Sequence, residues 1–178
     1  KEDGFVYKII NSYTNKIYDG AKSLVTVTEG LKNKIAARIK HTNIVVCRNG
    51  FSSDLFYPSG KSTNENVEPL KIVSHGNFGA LFDIDAFCKM AKDLARTGLN
   101  YQIVLIGFGS KLELVKSMGL ENVVVLGSMP QSKVAEYVRS ADIGISIHAP
   151  YDKDMSGIPV KVLEYIGAGV PCVVMPRN

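Results

Sequence analysis

Five short, largely aliphatic runs constrain what this chain can fold into: 70–75, 101–106 (Tyr-Gln-Ile-Val-Leu-Ile), 122–126, 143–147 and 171–174. Strands of four to six such residues, with little polar alternation, belong to a sheet buried on both faces. Helical spacing fills the gaps between them. Phe87, Met90, Ala91 and Leu94 share one face of a helix over about 83–97. Further helices run up to Met118, over about 131–140, and from Pro159 to Gly167. The alternation predicts an α/β fold with a parallel sheet and helices on both faces. Three of the strands run into glycine, at Gly76, Gly107 and Gly127, where the backbone turns sharply or a ligand approaches closely.

Ahead of this series the pattern is shorter. Phe5, Ile9, Ile10, Tyr13 and Ile17 mark an amphipathic helix over 4–19. Ser23–Val27 is a strand, Thr28 opens a helix with Lys32, Lys34 and Arg38 outward, and Asn43–Cys47 is a second strand before an Asn49-Gly50 turn. Residues 52–69, rich in Ser, Asn, Pro and Glu, read as a linker between a segment 1–51 and a domain 70–178. A net charge of +4 suits an anionic ligand or peripheral membrane association, and no dense basic run argues for nucleic acid. Cys47, Cys88 and Cys172 are odd in number and widely spaced, which fits reduced thiols in a cytoplasmic protein. No apolar run approaches the ~18 residues of a membrane span. The chain opens without Met and stops after a strand, so a piece of a longer protein is expected, truncated at its carboxyl end.

The stretch 141–174 is a βαβ unit whose loop lies at the carboxyl end of its first strand, where open α/β sheets bind ligands. Lys161 and Glu164 are three apart on its helix and share a face, with Val162, Leu163 and Ile166 expected to bury on the other. An ammonium for phosphate beside a carboxylate for ribose hydroxyls could grip a nucleotide; a solvated pair contributing roughly 0.2–0.5 kcal/mol is the alternative. The loop Gly76-Asn77-Phe78-Gly79 could hold phosphate on backbone amides at a helix start, or be a plain structural turn. Gly107-Phe108-Gly109 lacks the third glycine of a dinucleotide fingerprint. His148 could face the cleft, where an imidazole orients a ligand or exchanges protons, or could be a hydrogen-bonded strand-end residue; His75 is equally open. Asp152 and Asp154 could bind sugar hydroxyls or a divalent ion, or be solvated loop acids. No Ser-His-Asp order, zinc spacing or G-x-x-x-x-G-K-[ST] loop occurs.

In order and spacing, VTVTEGLKNKI, NIVVCRNGFSSDLFYP, HGNFGALFDID, IVLIGFGSKLELV, ENVVVLGSMPQSKVAEYVRSADIGIS and, most diagnostic, GIPVKVLEYIGAGVPCVV resemble the motifs of GT-B glycosyltransferases of the large retaining group called family 4. The resemblance covers almost the whole chain. It implies the Rossmann-like donor-binding half of a GT-B enzyme at 70–178, preceded by the end of the acceptor-binding domain at 1–51. The implied activity is transfer of a sugar, of hexosyltransferase type, from a nucleotide-sugar to a polysaccharide, lipid-linked or other glycan acceptor, with retained anomeric configuration and no obligatory metal. The expected location is cytoplasmic, as the cysteines suggest, with the inner face of the membrane as the narrower alternative. On this resemblance Lys161 contacts the diphosphate and Glu164 the ribose. Gly76, Asn77, Phe78 and Gly79 supply amides near the phosphates, and Gly127 and Ser128 lie near the base; His148 and Ser156 are further candidates for the donor site by their place in the chain.

Two departures stand out. The family's glutamate pair is separated by seven residues, but the position eight before Glu164 is Ser156, which cannot balance positive charge developing on the sugar. Many members also carry an arginine and a lysine in the first donor loop, whereas 76–85 has no cation. These departures favour a non-catalytic nucleotide-binding or regulatory GT-B domain as one alternative; a sugar-nucleotide epimerase using His148 with Asp152 is another.

Overall fold

The computed structural model describes residues 4–40, 43–60, 69–149 and 157–175. Its contacts divide the chain into two compact units, with the main break between Asn49 and Gly50.

In the first unit, helix α1 (Phe5–Gly20) and strand β1 (Leu24–Thr26) precede helix α2 (Glu29–Ala36) and strand β2 (Ile44–Val46). Thr28 caps α2, its hydroxyl accepting from the Leu31 amide at 3.1 Å, as a β-region threonine at a helix start should. The two strands pair in parallel. α1 forms where its spacing predicts, yet Phe5, Ile9, Ile10, Tyr13 and Ile17 are all exposed.

The second unit holds β3 (Leu70–Asn77), α3 (Ile84–Ala95), β4 (Tyr101–Phe108), α4 (Ser110–Ser117), β5 (Val123–Leu126), α5 (Gln131–Ser140), β6 (Ile143–Ser146), α6 (Val160–Gly167) and β7 (Cys172–Val174). The strands form one parallel sheet in the order β5-β4-β3-β6-β7. The predicted α/β architecture, Rossmann-like with helices on both faces, is therefore present. Alternation along each strand feeds two cores. Ile72, Ile103, Leu105 and Ile145 pack with Phe87 and Ala91 of α3 and Leu112 and Val115 of α4. Val73, Val104 and Ile106 pack on the other face with Ala135 and Val138 of α5 and Tyr165 of α6. Asp142 ties β6 to β3: its carboxylate accepts from the Lys71 amide at 2.8 Å, and its own amide donates to the Lys71 carbonyl at 2.9 Å.

β3 and β4 are each two residues longer than the runs predicted from apolarity, and they carry Gly76-Asn77 and Gly107-Phe108 within the ladder. Backbone pairing does not require apolar side chains, so hydropathy ends the strand early. Residues 50–60, expected to lie mostly in a linker, cluster with the second unit. Phe56 is buried in its core, and Arg139 donates to the Leu55 carbonyl at 2.6 Å while stacking over Tyr57. Because the chain runs β3-β4-β5 to one edge and returns to place β6 on the other side of β3, its direction reverses between β3 and β6. Such a reversal opens a crevice at the carboxyl ends of the strands.

Candidate functional site

The crevice is a cleft of about 240 Å³ lined by His75 and Gly76 of β3, Gly107 and Phe108 of β4, Ser128 and Met129 after β5, Gln131 of α5 and Glu164 of α6. It is smaller than the ~300–1,000 Å³ of a whole-ligand pocket, and so has room for one part of a ligand. Its shape depends on two close backbone turns. Gly76 (φ 113°) and Gly107 (φ 144°) sit opposite each other in the β3·β4 register, and a Cβ on Gly107 would strike the Gly76 carbonyl. Gly109 (φ 133°) is equally confined: a Cβ there would stand 2.5 Å from the Phe78 carbonyl carbon. Only glycine accommodates both the conformation and the approach.

Helix α6 places the ionisable groups. Tyr165 points inward, wholly buried, with its hydroxyl 3.3 Å from the Ile145 carbonyl and 3.4 Å from that of Val73. Its ring fills the space left by Gly144, where a Cβ would lie 2.5 Å from it. Burial of this ring corrects the apolar face expected for α6. Val162 is buried as predicted, but Ile166 is 63% exposed and Tyr165 takes its place, because β6 presents a glycine slot to which only the Tyr165 side of the helix is turned.

Rotating the helix this way buries Glu164 to 5% exposure. Its Oε1 accepts from Gln131 Nε2 at 3.2 Å, and its Oε2 lies 3.3 Å from His75 Nε2. Burial raises the carboxyl's pKa, opposed by the Gln131 hydrogen bond and the Lys161 charge. The solvated ion-pair alternative therefore does not describe this residue. A surface pair contributes under ~1 kcal/mol, whereas withdrawing a carboxylate from water costs several kcal/mol unless donors meet it. Lys161, one turn earlier, lies beside Gly76, its Cε and Nζ 3.8 Å from where a Cβ on that glycine would stand, and its Nζ is 5.6 Å from the Phe78 ring centroid. Burial pulls its ammonium down to about 8, with Glu164 acting in the opposite direction. His75 is 8% exposed; burial first, then Lys161, pushes its imidazole down to about 4, so it is neutral at physiological pH.

Gly76, Ser128 and Glu164 thus meet at one cleft with Lys161 beside it. Phe78 turns its ring into the core, and its amide donates to the Phe108 carbonyl at 2.7 Å, so that amide is already engaged. The Asn77 amide oxygen lies 2.9 Å from where a Cβ on Gly79 would stand, so the side chain folds over that glycine. Gly127 lies between β5 and the cleft-lining Ser128. His148 does not line the cleft; its Nε2 is 2.9 Å from Ser146 Oγ and its backbone bridges to Phe82. Asp152, Asp154 and Ser156 lie outside the described residues. The sequence reading did not single out Gln131. Its signal was present: the first residue of a helix that follows a strand's carboxyl end stands over the crevice.

The chain matches the family model described as "Glycosyl transferases group 1" over residues 69–178. It is 30% identical over 113 residues to the amylovoran biosynthesis glycosyltransferase AmsK of Erwinia amylovora, covering 60% of this chain and 28% of that protein. Among solved structures it superposes on WaaG, a glycosyltransferase involved in lipopolysaccharide biosynthesis (TM-score 0.68, 16% identity, 97% of this chain and 50% of that one). It also superposes on HepE of Anabaena in complex with UDP and glucose (TM-score 0.65, 15% identity, 94% and 48%). The chain spans half or less of the length of each of these proteins.

Proposed function

Because the chain belongs to the group 1 glycosyl transferases, we propose that its cleft binds the nucleoside part of a nucleotide-sugar and that the whole protein transfers the sugar to a glycan or lipid-linked acceptor. One observation carries this reading: a carboxylate 5% exposed and a partly buried lysine, one turn apart on α6, converge on a glycine turn at the sheet's reversal point. Glu164 takes ribose hydroxyls, and Phe108, Ser128 and Met129 wall the space for the base. Lys161 and the Gly76–Gly79 loop amides other than that of Phe78 meet the diphosphate. A departing nucleoside diphosphate gains negative charge, and a fixed cation with fixed dipoles stabilises it. In the absence of a cation in the loop 76–85, Lys161 bears most of that task. Retention of configuration, a mechanism without an obligatory metal and the acceptor class follow from the motif resemblance alone, and a cytoplasmic site of action, at the membrane's inner face, from the three unpaired cysteines and the mild positive charge. HepE was crystallised with UDP and glucose, which makes a uridine nucleotide the first donor to test.

The full-length protein, incubated with a panel of nucleotide-sugars and a glycan acceptor extract, should release nucleoside diphosphate from one of them in an acceptor-dependent way. Release without acceptor, accompanied by an altered sugar, would point to an epimerase. Nucleotide binding with no turnover would point to a regulatory domain.

A further inference from the structure

Two elements, α5 and β3, converge on the Glu164 carboxylate of α6, and neither of the groups they bring has a role in the donor reading above. Gln131, at the first position of α5, donates to Oε1. His75, near the end of β3, faces Oε2 at 3.3 Å without the alignment of a hydrogen bond, and its buried Nε2 makes no other. The imidazole plane is fixed from two sides: the Phe56 ring stacks at 6.5 Å and 16°, and the Tyr165 ring meets it edge-on at 5.4 Å and 86°. A core that needed only an apolar ring here would not aim a nitrogen at a carboxylate. A buried acid left with one donor is both costly and poorly oriented.

We propose that His75 is a positioning residue: with Gln131 it clamps the Glu164 carboxylate by both oxygens, and so sets the cleft's preference for a nucleotide carrying a vicinal ribose diol. The proposal rests on the donor reading of the cleft. Neutral His75 supplies an Nε2–H to Oε2. With one donor on each oxygen, both oxygens keep a lone pair that can accept a further hydrogen bond, as the two hydroxyls of a diol require. A bound diol orders the carboxylate and aligns the 3.3 Å His75–Glu164 contact, as site hydrogen bonds commonly tighten around a ligand.

The test is calorimetry on the full-length protein with UDP, GDP and ADP, then with the 2′,3′-dideoxy form of whichever binds tightest. His75→Phe keeps the ring between Phe56 and Tyr165 but removes the donor. It should weaken the ribonucleotide about five- to tenfold and the dideoxy form less than twofold. His75→Gln, which restores a donor at the same reach, should recover part of the loss. In a Glu164→Gln background the His75→Phe effect should vanish, since it acts through the carboxylate. Equal weakening of both nucleotides, or an effect that persists without the carboxylate, would overturn the proposal. If His75→Phe does not fold, nitrogen NMR of wild-type His75 decides: its Nε2–H resonance should move with the ribonucleotide and stay with the dideoxy form, and equal movement with both would overturn the clamp. If no nucleotide binds the wild type, the donor reading falls first and this proposal with it.

Discussion

The ends of β3 and β4 and the turn after β5 look alike in sequence, since each apolar run meets glycine, but they differ in what holds them. Gly76, Gly107 and Gly109 have positive φ, and the last two press against facing backbone, so a single methyl group has nowhere to go. Gly127 has a negative φ and open space around its Cβ position. The paired ends of β3 and β4 are a built surface in which glycine is structurally required. The turn after β5 is a spacer that delivers Ser128 and Met129 to the cleft, and glycine there is dispensable.

That contrast is open to graded tests. Gly107→Ala should destabilise the second unit by about 4 kcal/mol or more, because strain at φ 144° adds to a clash with the Gly76 carbonyl. Urea unfolding measures it, and a loss under ~1 kcal/mol would show that the paired turns are no more constrained than the third. His75, immediately before Gly76, gives the next effect. Its folded pKa of about 4 lies below the ordinary 6.5, so between those values the unfolded chain binds a proton that the native protein refuses. This contribution to stability is intact above pH 6.5 and is lost as pH falls toward 4, by about 3 kcal/mol in all. His75→Phe should flatten that slope in a pH series of unfolding midpoints.

Lys161, lying against Gly76, comes third. Lys161→Ala should weaken nucleoside diphosphate binding by about 2 kcal/mol, roughly thirtyfold, in calorimetry. With the ammonium held down to about 8, wild-type affinity should fall as pH rises through 8, and Lys161→Arg should remove that fall because guanidinium stays charged. Smallest is Gly127→Ala, expected within ±0.5 kcal/mol of wild type in both stability and binding. A large effect there would erase the distinction between the turns.

The sheet was legible from its apolar runs because a strand buried on both faces must be aliphatic on both. Helix starts were legible too, and Thr28 caps α2 where expected. The candidate site was only partly legible. Lys161 and Glu164 could be picked out by spacing, but their orientation depended on Gly144, nearly twenty residues away, which admits Tyr165 and turns Ile166 outward. A periodicity argument on one helix cannot see the slot in the strand beneath it. Gln131 and the Phe56–His75–Tyr165 stack are products of topology, joining residues that are distant in sequence. α1 shows the converse: its apolar stripe predicts the helix correctly, while among the described residues nothing buries that stripe.

The slot at Gly144 has a consequence for how such a protein can be tuned. Gly144 lies beneath Tyr165, the neighbour of Glu164, and is not among the residues that wall the cleft. A methyl group added at Gly144 would lever the aromatic ring, and the adjoining acid with it, away from the sheet. Selections for altered ligand preference should therefore return substitutions in the floor of the fold as well as around its mouth.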